Sequence, residues 1–198
     1  MRIDESGTVS RVHGYLLVGN GPSDVRILTV LAERFDHSKV LRIPQTPLRG
    51  RKGLKASIES LTFCLDRPAM NRFILVIDRE HVASKEEIEE KLQECGFECL
   101  EIEEINSGAY YVEAKRGDKR ALIYIALLGF KKRIEENLAQ LIKVMYNEDL
   151  EPRKKVIRRW LKVKGLRDVD LIRKARDEQL NQAFPSVTIV FRLISKNN

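Results

Sequence analysis

The sequence predicts an α/β protein: a mainly parallel sheet flanked by helices, followed by a basic, mostly helical C-terminal extension. Three observations carry this. Short apolar runs alternate with amphipathic stretches through the first half of the chain. A Gly117-Asp118 turn then joins two runs of strand-forming residues. Beyond Phe130 the apolar spacing becomes helical, with Pro152 and Gly165 as breaks.

The elements follow in order. Gly14–Gly19 reads as a buried strand ended by glycine. Pro22–Phe35 reads as a helix with Val25, Leu28, Leu31 and Ala32 on one face; Asn20 or Gly21 can cap it and Pro22 suits its first turn. Lys39–Ile43 is a second short strand, and Pro44–Gly53 a loop punctuated by prolines and glycines. Leu54–Asp66 has a helical pattern, and Arg72–Asp78 (RFILVID) is the clearest strand. Ser84–Cys95 is a charged helix, with Ser84 and Glu87 forming a capping box. Phe97–Ile102 is a fourth strand. Short connections between alternating strands and helices imply parallel pairing with helices on both faces.

The hairpin covers 109–128, with strands 109–114 and 121–128. Helices are expected at 131–147, about 152–164 and 168–182, and the β-branched run SVTIVFRLI at 186–194 reads as a final strand. The chain thus divides into an α/β core over 1–130 and a basic helical extension over 131–198, which can pack on the core.

With 198 residues and 43% hydrophobic content, the chain can bury a sizeable core. A net charge of +7 points to a polyanionic partner, because Lys and Arg displace counterions from phosphates. No apolar run approaches the ~18 residues of a membrane helix, so no membrane role is expected. MRIDESGTVS carries acids and no apolar core, unlike a signal peptide. Cys64, Cys95 and Cys99 form no disulfide framework, and Cys95 and Cys99 lack zinc spacing. A reducing, cytoplasmic setting is expected.

Two strand ends hold the chemistry. The first strand ends at Gly19-Asn20-Gly21, the third at Asp78-Arg79-Glu80-His81. Ligands of open parallel sheets bind at the carboxyl ends of strands. Asp78 and Glu80 can face the same side of that edge and suit Mg²⁺, a hard cation that takes carboxylates, waters and phosphate oxygens. A dinucleotide fingerprint fits poorly. Asp24 stands where a glycine belongs and would repel a pyrophosphate at the helix start.

Val18-Gly19-Asn20-Gly21-Pro22-Ser23-Asp24, followed by Asp78-Arg79-Glu80, resembles the Toprim domain, a Rossmann-like fold. The closest variety is that of OLD-type nucleases and small stand-alone Toprim-like proteins. Their strand ends V-E-G-x-S-D before a helix, and a later strand ends D-x-D. Gly21, Ser23 and Asp24 match; Asp78-Arg79-Glu80 takes the place of D-x-D; the likeness spans roughly 14–130. It implies a metal site of Asn20, Asp78 and Glu80, with Asp78 and Glu80 catalytic if the site is active. The family's glutamate falls on Asn20, which keeps a coordinating oxygen but has no charge and no titrating proton. Mg²⁺ binding should therefore be weak or absent. Asp24, one helical turn on, either stands in for the lost acid or serves the helix dipole.

Basic residues form three clusters. The glycine- and proline-rich stretch 42–55 holds Arg42, Arg49, Arg51, Lys52 and Lys55; the hairpin tip holds Lys115, Arg116, Lys119 and Arg120. In the extension, Arg153, Lys154, Arg158 and Lys162 can share one helix face. Trp160 among them either stacks on a base or packs inward with Ile157 and Leu161. His13 and His37 read as surface residues, and His81 as a further ligand or an exposed loop residue.

The expected function is nucleic-acid binding, to DNA or RNA, by a degenerate Toprim-like site in a non-catalytic or accessory role. The alternative is a Mg²⁺-dependent nuclease or other phosphodiester-transfer enzyme using Asp78 and Glu80. Docking on a larger nucleic-acid-processing complex is compatible with both.

Overall fold

The computed structural model describes residues 1–7, 9, 11–19, 22–45, 53–65 and 70–196. Asn20, Gly21, Arg49, Arg51 and Lys52 lie outside the described residues. The strands are β1 (Arg2–Asp4), β2 (Gly14–Val18), β3 (Val40–Arg42), β4 (Arg72–Asp78), β5 (Glu98–Asn106), β6 (Ala109–Arg116) and β7 (Lys119–Leu128). They form one seven-stranded sheet in the order β1-β3-β2-β4-β7-β6-β5. β1, β3, β2, β4 and β7 pair in parallel; β6 runs against both β7 and β5.

The helices are α1 (Pro22–Ala32), α2 (Gly53–Leu65), α3 (Lys85–Glu94), α4 (Ile134–Tyr146), α5 (Lys154–Val163), α6 (Asp168–Lys174), α7 (Asp177–Ala183) and α8 (Pro185–Lys196). The period-2 alternation of the strands decides what each helix covers. Tyr15, Leu17, Phe73, Leu75, Ile77, Ile123 and Ile125 point into a cluster closed by α2 and α3. Leu16, Ile74, Val76, Tyr124, Ala126 and Leu128 point the other way, into a cluster closed by α1 and α4 to α8. β4 and β7 are buried on both faces, which is why both read as unbroken apolar runs.

Several elements differ from expectation. β1 has no counterpart in the expected set, and β5 extends to Asn106 and pairs antiparallel with β6 at the sheet edge, because the hairpin strand β7 takes the place beside β4. The run 186–194 is a helix: Val187, Val190, Phe191 and Ile194 are fully buried at helical spacing against β7 and α7. Ser186 Oγ donates to the buried Leu127 carbonyl at 2.6 Å, so burial and this bond override the β-branched propensity. α4 begins at Ile134 rather than 131, because the Glu136 carboxylate folds back onto the preceding loop. The stretch 168–182 is two helices. Ala175 is extended, and Gln179 Oε1 accepts the Arg176 N–H while its Nε2 donates to the Val144 carbonyl. The capping of α3 is as expected: Ser84 Oγ accepts from Glu87 N–H, and Glu87 Oε2 accepts from Ala83 N–H.

His13 is not a free surface residue. Its Nδ1 accepts the Val40 N–H at 3.1 Å, tying the entry of β2 to β3. Burial, then the charges of Lys39 and Arg11, hold its pKa below the usual value, which keeps the acceptor form.

Candidate functional site

The chain leaves β2 for β3 through α1 on one face, then returns past β2 to β4 through α2 on the other. That reversal makes the carboxyl ends of β2 and β4 the switch point of the sheet, where a crevice forms. Gly19 and Asp78 end these two strands. The Gly19 N–H donates to the Val76 carbonyl and its own carbonyl accepts from Gly53 N–H, each at 2.9 Å. A side chain at Gly19 would press on Ser57 Oγ at 3.0 Å and Ile77 at 3.1 Å, so glycine eases the close approach of α2 to this strand end.

Asp78 is 9% exposed. Its Oδ1 accepts the Ile134 N–H at 3.1 Å, at the start of α4. Burial pushes its pKa up to about 7; the nearby negative charge of Asp24 adds to the rise, as do Glu135 and Glu80, and the Ile134 bond opposes it. Asp24 is itself buried in the first turn of α1, where Ser23 Oγ donates to it at 3.1 Å. Glu80 and His81 follow Asp78 in a single 3-10 turn. One ligand atom each from Asp78, Glu80 and His81 lies within 4.8 Å of the others, so this small cluster can hold a metal ion. Glu80 is also paired with Arg133 at 3.0 Å.

The basic helix α5 lies beside this edge. A cavity of about 100 Å³ is walled by Ser23, Asp24, Ile134 and Glu135 on one side and by Lys154, Ile157 and Arg158 on the other. A larger cleft of about 550 Å³ shares Glu135 and Lys154 with it and adds Lys132, Arg133 and Arg153 together with the carboxylates of Glu136 and Glu151. Lys132, Lys154 and Arg158 are exposed and make no ion pair among the described residues.

No family model, curated protein or solved structure matches the chain. The site is therefore read from its own geometry.

That geometry sorts the expected site residues. Arg153, Lys154 and Arg158 line the two cavities, while Asp78 and Glu80 are joined to cavity-lining residues through the Ile134 N–H and Arg133; Arg153 is paired with Glu151 at 2.7 Å. Lys162 is on α5, exposed and away from both cavities. Lys55 is paired with Glu94 at 3.1 Å and Arg42 with Asp4 at 3.0 Å, so neither is a loose cation. The hairpin tip is elsewhere. β7 pairs Leu122 with Arg72 and Leu128 with Asp78, which puts Gly117-Asp118 beyond the far end of β4, roughly 33 Å from the acids. There Lys115 is paired with Glu98 at 2.9 Å and Arg120 with Glu113. Trp160 is 8% exposed: its ring packs edge-on against Tyr146 at 5.0 Å and its N–H donates to Glu148 at 2.6 Å. It packs inward instead of offering a face to a base.

Sequence reasoning missed Glu135, Lys132 and Arg133. No local pattern marks them, because they reach Asp78 only when β7 inserts beside β4 and delivers the following loop to that edge. No helix among the described residues is long and apolar enough to cross a membrane.

Proposed function

We propose that this protein binds nucleic acid at the carboxyl edge of its sheet, through a degenerate Toprim-like site with a non-catalytic or accessory role in DNA or RNA processing. One observation carries the reading: Lys132, Lys154 and Arg158, which make no ion pair among the described residues, line two adjoining cavities next to Ile134, the residue whose N–H holds Asp78 at the switch point. Phosphates are the anions such a row of cations serves best. Asn20 in place of a glutamate supports the non-catalytic form of the reading, because the site has one fixed negative charge fewer. The free thiols of Cys64, Cys95 and Cys99 fit a cytoplasmic setting. The test is affinity for short DNA and RNA against salt. Three phosphate contacts give a log–log slope of roughly −2 or steeper. A flat response overturns the reading.

A second reading is a Mg²⁺-dependent nuclease or related phosphodiester-transfer enzyme. The convergence of Asp78, Glu80 and His81 favours it. Hard carboxylate oxygens suit Mg²⁺, with Asp78 and Glu80 holding the ion and His81 at its margin. The ion, when bound, would supply positive charge to phosphate oxygens. On this reading the wild type cleaves DNA or RNA with Mg²⁺ or Mn²⁺, and Asp78→Ala does not. Absence of cleavage with either metal removes it.

A further inference from the structure

The loop from Gly129 to Arg133 joins β7 to α4 at the same edge as Asp78. It is held as a rigid unit. Gly129 has φ +86°, and a side chain there would collide with the Arg133 backbone. Its N–H donates to the buried Asn137 Oδ1 at 2.6 Å, and its carbonyl accepts from Arg79 Nε at 3.3 Å. The N–H groups of Phe130, Lys131 and Lys132 all donate to Glu136 Oε2, at 2.7, 2.5 and 3.2 Å. The Lys132 carbonyl accepts from Glu80 N–H at 2.8 Å, which fixes the loop to the acidic turn.

A loop so well tied down would be expected to tuck in its one aromatic side chain. Phe130 is instead 45% exposed, directly before Lys131, Lys132 and Arg133, all exposed. An apolar ring in water costs solvation free energy that burial would recover. An exposed aromatic on a tightly held loop, followed directly by cations of which Lys132 and Arg133 line the 550 Å³ cleft, is an arrangement that takes a stacked base with its phosphates alongside.

We infer that Phe130 is a stacking platform for a nucleobase and that the partner is single-stranded nucleic acid. This rests on the reading proposed above and narrows it. Stacking on Phe130 needs a base whose face is free, and a duplex offers such faces only at its ends. The neighbouring phosphates run into the 550 Å³ cleft against Lys132 and Lys154. The platform is the exposed Phe130 and not Trp160, whose ring is buried.

The experiment is fluorescence anisotropy of labelled oligonucleotides, single-stranded DNA, single-stranded RNA and the matching duplexes, with wild type, Phe130→Ala and Phe130→Trp. Phe130 is exposed, so both variants should fold, which circular dichroism and Tm check. Wild type should bind single strands more tightly than duplexes. Phe130→Ala should lose roughly 5- to 150-fold in single-strand affinity with an unchanged salt slope, since no charge is removed. Phe130→Trp should bind at least as tightly as wild type, with its emission quenched on binding. Equal affinity for duplex and single strand, or Phe130→Ala binding like wild type, overturns the inference and leaves the nucleic-acid reading standing. A wild type that binds no nucleic acid overturns both.

Discussion

The Asp78 carboxylate accepts the backbone N–H of Ile134 at 3.1 Å. This bond ties the end of β4 to the start of α4, across a wide gap in sequence, and holds a carboxylate in a buried, negatively charged setting. The pKa of Asp78 rises to about 7, first through burial and then through Asp24. A raised pKa means that the folded chain keeps a proton the unfolded chain has already released. Stability therefore falls as pH rises from about 4 to about 7, then stays reduced above that. Asp78→Asn keeps an oxygen for the Ile134 N–H and removes the ionisation. Its Tm should exceed that of wild type at pH 8 and equal it near pH 4, a difference on the order of a few kcal/mol. Equal Tm curves across this range would contradict the assignment.

Glu80 and Arg133 form a part-exposed ion pair at 3.0 Å. Such a pair contributes about 0–1 kcal/mol to stability. It occupies one carboxylate of the cluster that could hold a metal ion. Arg133→Ala should leave Tm nearly unchanged and raise Mn²⁺ affinity about threefold or more, measured by calorimetric titration. Weaker metal binding in the variant would show that Arg133 does not compete for Glu80.

Asn137 is 2% exposed and bridges two chain segments: Oδ1 accepts from Gly129 N–H at 2.6 Å, and Nδ2 donates to the Ala183 carbonyl at 2.7 Å. Truncation to alanine strands both backbone groups in the interior. Asn137→Ala should cost about 2–4 kcal/mol in urea unfolding. It should also loosen the loop that carries Phe130, seen as faster amide exchange at residues 129–132. A cost under about 1 kcal/mol would mean that water replaces the bridge.

Much of the fold was legible in the sequence, and for identifiable reasons. RFILVID is buried on both faces, so its apolar run needed no partner to be recognised, and Asp78 stands out as the charge that ends it. The turn at Gly117-Asp118 and the Ser84–Glu87 cap are local chemistry, and local chemistry reads well. SVTIVFRLI misled because propensity favoured a strand, while the positions Val187, Val190, Phe191 and Ile194 already carried the helical spacing. Of the candidate site, only part could be named from the sequence. Asp78, Glu80 and the cations of α5 were marked by type and cluster. Glu135, Lys132 and Phe130 were not, because they depend on β7 lying next to β4 rather than on their own neighbours.

The likeness to a Toprim motif turns on Asn20. If the site descends from one with glutamate there, Asn20→Glu should supply the charged ligand that the resemblance assigns to this position. Calorimetry should then show Mg²⁺ or Mn²⁺ binding at least about tenfold tighter than wild type. Unchanged metal affinity would count against that descent and would leave the cationic cleft untouched.

On the proposed reading, nucleic acid lies across Lys132, Lys154 and Arg158. The most direct measurement is the salt dependence of binding for three proteins: wild type, Lys132→Ala/Lys154→Ala/Arg158→Ala, and Arg116→Ala/Lys119→Ala at the hairpin tip. The cleft variant should bind more weakly, with a log–log slope shallower by about 2 for a single strand, while the hairpin variant keeps the wild-type slope. A cleft variant with wild-type affinity and slope, or a loss confined to the hairpin variant, would contradict the account.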